Sequence, residues 1–67
     1  MELLDVKDLA RLLRLSTRQI HKLTKAERLP APLRIGRSVR WVAADVRRFI
    51  ECGADPARYA EALGADR

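Results

Sequence analysis

Basic side chains cluster in the middle of the sequence, in a pattern suited to binding a polyanion. Residues 16–40 carry seven basic groups against one acid, Glu27, a net charge of +6, whereas the other 42 residues carry seven basic and eight acidic groups. The seven are Arg18, Lys22, Lys25, Arg28, Arg34, Arg37 and Arg40. A solvated basic surface is the alternative, but it would spread its charge along the chain. The clustering therefore favours an anionic partner.

Residues suited to catalysis are scarce. The chain has one histidine, His21, and one cysteine, Cys52, more than thirty residues apart, and it lacks a glycine-rich phosphate loop and clustered carboxylates. A nucleophile needs a base beside it, and a metal needs several ligands. We therefore expect a protein that is not an enzyme and that holds no metal or cofactor. A single cysteine also excludes an internal disulfide.

The length and apolar content predict one small cytoplasmic domain. No apolar run approaches the roughly 20 residues that a membrane-spanning helix needs. The N-terminal residues "MELLDVKD" lack the basic segment and apolar stretch of a signal peptide. With 67 residues, the chain is near the lower limit for a domain that folds without disulfides or metals.

Two short helices precede the basic region and enter it. Asp5 is placed to cap a helix whose apolar face is Val6, Leu9, Ala10 and Leu13. Ser16 begins "STRQ", a capping box that starts a second helix ending near Lys25. Only Ile20 and Leu23 are apolar at helical spacing there, so most of the second helix is polar. A short turn between two such helices is typical of a helix-turn-helix.

A hairpin is predicted after the second helix, because the prolines of "LPAP" end helical structure. Apolar residues alternate with arginines around a "GRS" turn, in the order Leu33, Arg34, Ile35, then Val39, Arg40, Trp41. This period of two predicts strands with the apolar residues inward and the arginines outward. Gly36 provides the turn, and Trp41 is expected in the core.

Two more helices are predicted in the remaining chain. The buried stripe of the third is expected to be Val46, Phe49 and Ile50, with Arg47, Arg48 and Glu51 in water. A short C-terminal helix is predicted by its end signals: Asp55 as cap, Pro56 at the first position and Gly64 as terminator. We therefore divide the chain into a domain of residues 1–53 and a helical tail of residues 54–67. Tyr59 in this tail is a candidate for either the core or an interface.

The order of these elements resembles the small winged helix-turn-helix domains of the excisionase and AlpA-like families, relatives of the MerR DNA-binding domain. The resemblance covers about residues 3–51 and is carried by "LLRLSTRQIHKL", "RLPAPLRIGRSVRW" and "DVRRFI". It implies a mainly α fold with a small β-hairpin, and double-stranded DNA as partner. The second helix would enter the major groove, and the hairpin wing would lie against the backbone or minor groove. Arg14 stands where the family usually has glycine, so it is either left-handed or the turn differs.

Side-chain chemistry suggests a role for each basic residue on such a DNA site. Arg18 suits a bidentate contact to guanine, whereas Thr17 and His21 suit base edges or phosphate. Lys22 and Lys25 suit phosphate. Gln19 either closes the capping box or bonds an adenine or a phosphate. The remaining DNA-binding candidates are Arg28 and the hairpin residues Arg34, Arg37, Ser38 and Arg40, with Arg37 at the tip.

Three functions fit these residues. The first is an excisionase-type recombination directionality factor, a monomer in solution that binds repeats cooperatively, bends DNA and serves an integrase. The second is a small transcription regulator. Both would be nucleoid-associated when bound to DNA. The third, of another class, is a basic module that binds an acidic partner protein.

Overall fold

The computed structural model describes residues 2–65 and contains four helices and three strands. The elements are β1 (Leu3–Leu4), α1 (Val6–Leu13), α2 (Thr17–Lys25), β2 (Leu33–Ile35), β3 (Ser38–Val42), α3 (Ala43–Glu51) and α4 (Pro56–Ala65). The fold is a winged helix-turn-helix, as predicted: α1 and α2 form the helix pair, and residues 33–42 form the hairpin, which we call the wing.

Reciprocal capping boxes begin both helices of the pair. Asp5 Oδ1 accepts a hydrogen bond from the Asp8 backbone N–H at 2.7 Å, and Asp8 Oδ2 accepts one from the Asp5 N–H at 3.2 Å. The Asp8 backbone donor is the main cause that lowers the pKa of Asp5 below its ordinary value. Ser16 Oγ accepts from the Gln19 N–H at 3.1 Å, while Gln19 Oε1 accepts from the Ser16 N–H at 2.9 Å. These bonds satisfy amides that have no partner within a helix.

The turn between α1 and α2 depends on a left-handed residue. Arg14 has φ 56° and ψ 42°, and the Leu15 N–H donates to the Ala10 carbonyl at 2.9 Å. This ends α1 and redirects the chain into α2. Of the two alternatives for Arg14, the left-handed conformation is the one adopted, at a steric cost that glycine would not incur.

The three strands form one antiparallel arrangement in the order β1-β3-β2. The strand β1 was not predicted, because two residues carry no detectable alternation. It forms by pairing, with Leu3 opposite Val42 and Leu4 opposite Trp41. The Ala43 N–H donates to the Glu2 carbonyl at 2.9 Å and extends the same contact. The beginning of the chain is thereby fixed beside the wing.

The core lies between the helix pair, the wing and α3. Its largest fully buried side chains are Trp41, Leu9, Ile20 and Val46. Trp41 Nε1 donates to the Pro30 carbonyl at 3.0 Å, so its polar atom is satisfied as well as buried. The prediction that Trp41 is in the core is confirmed. The bond also attaches the proline segment to β3, which sets where the wing leaves the body of the domain.

For the first strand of the wing, the prediction of which side chains point inward and which point outward is wrong. A two-residue turn, Gly36–Arg37, pairs Ile35 with Ser38 and Leu33 with Arg40. Directly opposed residues of an antiparallel pair point to the same side of the sheet. Arg34 is therefore on the side of Val39 and Trp41, and Leu33 and Ile35 are on the other side. Leu33 is 44% and Ile35 54% exposed. The apolar side chains of the wing therefore do not all face the core, contrary to the prediction.

The C-terminal helix packs on α3 through aromatic and polar contacts. The rings of Phe49 and Tyr59 meet edge to face, with centroids 5.6 Å apart. Arg48 Nη2 donates to the Ala62 carbonyl at 3.1 Å, and Arg48 is half-buried rather than in water. Burial raises the pKa of Tyr59. Three predictions are wrong here: Arg48 does not lie in water, Ile50 is 42% exposed rather than buried, and α4 continues through Gly64 instead of ending there.

Candidate nucleic-acid interface

The helix α2 presents one apolar stripe to the core and an exposed polar face to solvent. Ile20 is fully buried and Leu23 half-buried. At 100° per residue, Arg18 and Lys25 lie nearest the direction opposite these two side chains. The exposed residues of the helix are Thr17, Arg18, Gln19, His21, Lys22 and Lys25. All six predicted DNA-binding positions of α2 are therefore accessible.

Two polar side chains of α2 are already engaged within the protein. Gln19 closes the capping box, as the sequence favoured, so its Oε1 accepts from Ser16 and only its amide nitrogen is left for another partner. Thr24 Oγ1 donates to the Ile20 carbonyl at 2.7 Å. The hydroxyl of Thr24 thus serves the helix itself, which leaves Arg18, His21 and the lysines as the groups most available to an external ligand.

A cleft of about 500 Å³ separates α2 from the wing. Five of the predicted DNA-binding residues line it, namely His21, Arg34, Arg37, Ser38 and Arg40. Arg28 does not, because it borders a separate apolar cavity of about 290 Å³ that includes Leu23 and Phe49. The remaining predicted residues, Thr17, Arg18, Gln19, Lys22 and Lys25, lie outside the cleft on the exposed surface of α2. The structure thus divides the candidate site between the cleft and the outer surface of α2.

Carboxylates neutralise arginines elsewhere in the protein but not in this region. Arg11, Arg47 and Arg58 lie 3.5–4.0 Å from Asp8, Glu2 and Asp55, respectively. Within residues 2–65, none of the seven basic residues of segment 16–40 has an ion pair with a carboxylate. Their charges are therefore not compensated by direct ion pairs, and we expect a positive potential over α2 and the wing.

Arg40 differs from the other arginines of the wing. It is half-buried, and its Nη1 donates to the Val39 carbonyl at 2.9 Å. Its charge is also one of the smaller causes that lower the pKa of Asp5, after the hydrogen bonds from Asp8. Arg40 therefore belongs partly to the framework of the wing, whereas Arg34 and Arg37 are exposed and free of such bonds in the described chain.

Lys7 is a basic residue of the cleft that the sequence did not indicate. It is exposed near the start of α1 and lines the cleft together with Arg34 and Arg37. It lies outside the cluster of residues 16–40 and next to acids, so local charge offered no signal. Only the packing of α1 beside the wing brings Lys7 to this surface.

Other kinds of site are not found in the part of the chain that the structure describes. Residues 2–65 contain no group of three histidine, cysteine or acidic residues arranged to hold a metal ion. None of the described helices has the length and apolar character needed to cross a membrane.

Comparison with known proteins places the chain in a family. The family model described as "Helix-turn-helix domain" matches residues 3–52, which include every element from β1 to α3. No curated protein and no solved structure matches the chain. The match covers well over half of the 67 residues, and the geometry agrees with it: a capped α2 with a polar outer face follows a tight turn. The protein therefore belongs to the helix-turn-helix domain family, and its domain supports DNA binding.

Proposed function

We propose that the protein binds double-stranded DNA sequence-specifically and acts by binding rather than by catalysis. The observation that carries the proposal is that, within residues 2–65, the cationic side chains of α2 and the wing form no ion pair with a carboxylate. Such groups gain most from phosphates, because binding releases counterions from the duplex. The two elements flank one cleft, so a helix in the major groove and a wing beside it can contact the same duplex.

Each part of the surface has its own task in this proposal. Arg18, opposite the buried stripe near the N-terminus of α2, makes a bidentate contact to guanine. His21 and Thr17 contact base edges or phosphate. Lys22, Lys25 and Arg28 bind phosphates and position the helix. Arg37, at the exposed tip of the wing, reaches into the minor groove, where a narrow groove attracts arginine.

The biological role that we propose is that of an excisionase-type recombination directionality factor. A single domain with one helix and one wing has an interface of roughly 600–1,000 Å², which is modest for selecting one site. We therefore propose that the protein is a monomer in solution and binds adjacent repeats cooperatively, bends the duplex and assists an integrase. Regulation of transcription by the same contacts is the second role, and it requires no bend.

The binding proposal is tested by fluorescence anisotropy with a labelled duplex selected from a random library. About five or six phosphate contacts predict a slope near −5 when the logarithm of affinity is plotted against that of salt concentration. Arg37→Ala should reduce the steepness by about 1, while Arg47→Ala, whose arginine faces Glu2, is the matched control and should change nothing. Salt-insensitive binding, or stronger binding to an acidic protein than to DNA, would contradict the proposal.

The role is tested by titrating a duplex with two neighbouring sites and measuring its end-to-end distance by energy transfer. Cooperative filling with shortening of the duplex supports the excisionase-type role. Independent filling of a straight duplex contradicts it and favours regulation of transcription. Sedimentation of the free protein as a dimer would contradict the monomeric state that we propose.

A further inference from the structure

Two large apolar residues stand exposed on the wing without a packing partner in the core. Leu33 and Ile35 occupy β2, and neither belongs to the core cluster. The register places both on the side of the sheet opposite Trp41, together with Ser38 and Arg40. The wing is held to the domain by Val39 and Trp41 instead. Leu33 and Ile35 are therefore not needed to anchor it.

Ile35 has a position that matters for a DNA contact. It immediately precedes the Gly36–Arg37 turn and lies opposite Ser38, so it is at the far end of the wing beside the exposed arginine of the tip. Gly36, with φ 61°, makes this two-residue turn possible, and an added Cβ would meet nothing within 4 Å. The tip therefore carries an exposed branched apolar side chain on the side of the sheet opposite Trp41 and, two residues later in the chain, the arginine that borders the cleft.

We propose that Ile35, supported by Leu33, makes an apolar contact with the sugars and base edges of the DNA minor groove, next to the contact of Arg37. The inference rests on the proposed function and adds a residue and a type of interaction to it. Deoxyribose and base edges offer C–H surface, and apolar side chains of minor-groove proteins contact it and open the groove. Contact with that surface removes the isoleucine side chain from water, which contributes favourably to the free energy of binding.

The apolar contact and the arginine contact have separable signatures. Arg37 displaces counterions from phosphates, so its contribution weakens as salt rises. Ile35 carries no charge, and burying it depends on apolar area rather than on ionic strength. A loss of affinity at Ile35 must therefore be the same at all salt concentrations, whereas a loss at Arg37 must change the slope.

The experiment compares Ile35→Ser, Arg37→Ala and Ile50→Ser on a duplex with a single site, across a salt series. Ile50 is 42% exposed on α3, away from the wing, and is the matched control. We expect Ile35→Ser to bind about ten-fold more weakly at every salt concentration with an unchanged slope. It should also bend the duplex less. Ile50→Ser should bind like the wild type, and Ile35→Val should keep most of the affinity. Thermal melting establishes that each variant is folded.

The outcomes of this experiment test the Ile35 contact separately from the proposed DNA binding on which it rests. Unchanged affinity and bending in folded Ile35→Ser, with salt-sensitive binding by the wild type, would overturn the inference and leave DNA binding intact. A defect confined to a duplex with two sites would also overturn it, because it would assign Ile35 to contact with a second copy. Failure of the wild type to bind any duplex would overturn the proposed function itself.

Discussion

Replacing Trp41 by alanine removes the largest buried side chain of the protein. Trp41 is only 2% exposed and packs against Leu9, Ile20 and Val46. Emptying such a site costs about 3–5 kcal/mol. A chain of 67 residues has a free energy of unfolding of about 3–10 kcal/mol at usual values per residue. We therefore expect Trp41→Ala to lose most or all of its stability and, with it, the fixed wing.

A second substitution separates packing from hydrogen bonding. Trp41→Phe keeps an aromatic ring but removes the Nε1 donor, which leaves the buried Pro30 carbonyl without its partner at a cost of about 1–3 kcal/mol. Urea unfolding followed by circular dichroism measures both variants. Leu12→Ala, at a position 51% exposed, is the control and should stay within about 0.5 kcal/mol of the wild type. An unchanged midpoint for Trp41→Ala would refute the packing described here.

Four other substitutions test individual residues, two for local structure and two for DNA contacts. Arg14→Gly should raise the free energy of unfolding by about 0.5–1 kcal/mol, because Arg14 is left-handed, and a higher melting temperature would verify this. Ser16→Ala should cost about 1 kcal/mol in urea unfolding by removing the cap of α2, and no loss would show that the cap is dispensable. In binding assays, Arg18→Ala should lose about 1–3 kcal/mol and its preference at one base pair, whereas Lys25→Ala should weaken binding to selected and random duplexes equally.

The two helices of the helix-turn-helix were predictable because their signals are local. A capping residue, an apolar spacing and a terminating turn all fall within about ten residues, so α1 and α2 have the predicted bounds. The burial of Trp41 was also predictable, because Trp41 alternates with Val39 on the inward side of β3 and because burying a tryptophan is among the largest stabilising contributions available to so small a domain. The left-handed Arg14 was one of two alternatives, and sequence alone could not choose between them.

The features that were predicted wrongly or missed depend on contacts between separate segments of the chain. The side of the sheet to which Leu33 and Ile35 point depends on the number of residues in the turn. Adding or removing one turn residue would move every side chain of the strand to the opposite face. The strand β1 exists only because β3 pairs with it across almost forty residues. Lys7 reaches the cleft because α1 packs beside the wing. None of these features leaves a pattern within its own segment.

The distribution of acids explains why the sequence alone indicated this surface as the candidate site. Arg11 and Arg58 each have an aspartate three residues earlier in the chain, and their ion pairs form within a single helical turn. The segment 16–40 offers only Glu27, which is left-handed and lies two residues after the last residue of α2. Arginines there have no acid at helical spacing, so their charges are left for an external anion. Within the described residues, the lack of carboxylate ion pairs, as much as the presence of arginines, supports the proposal that this surface binds DNA.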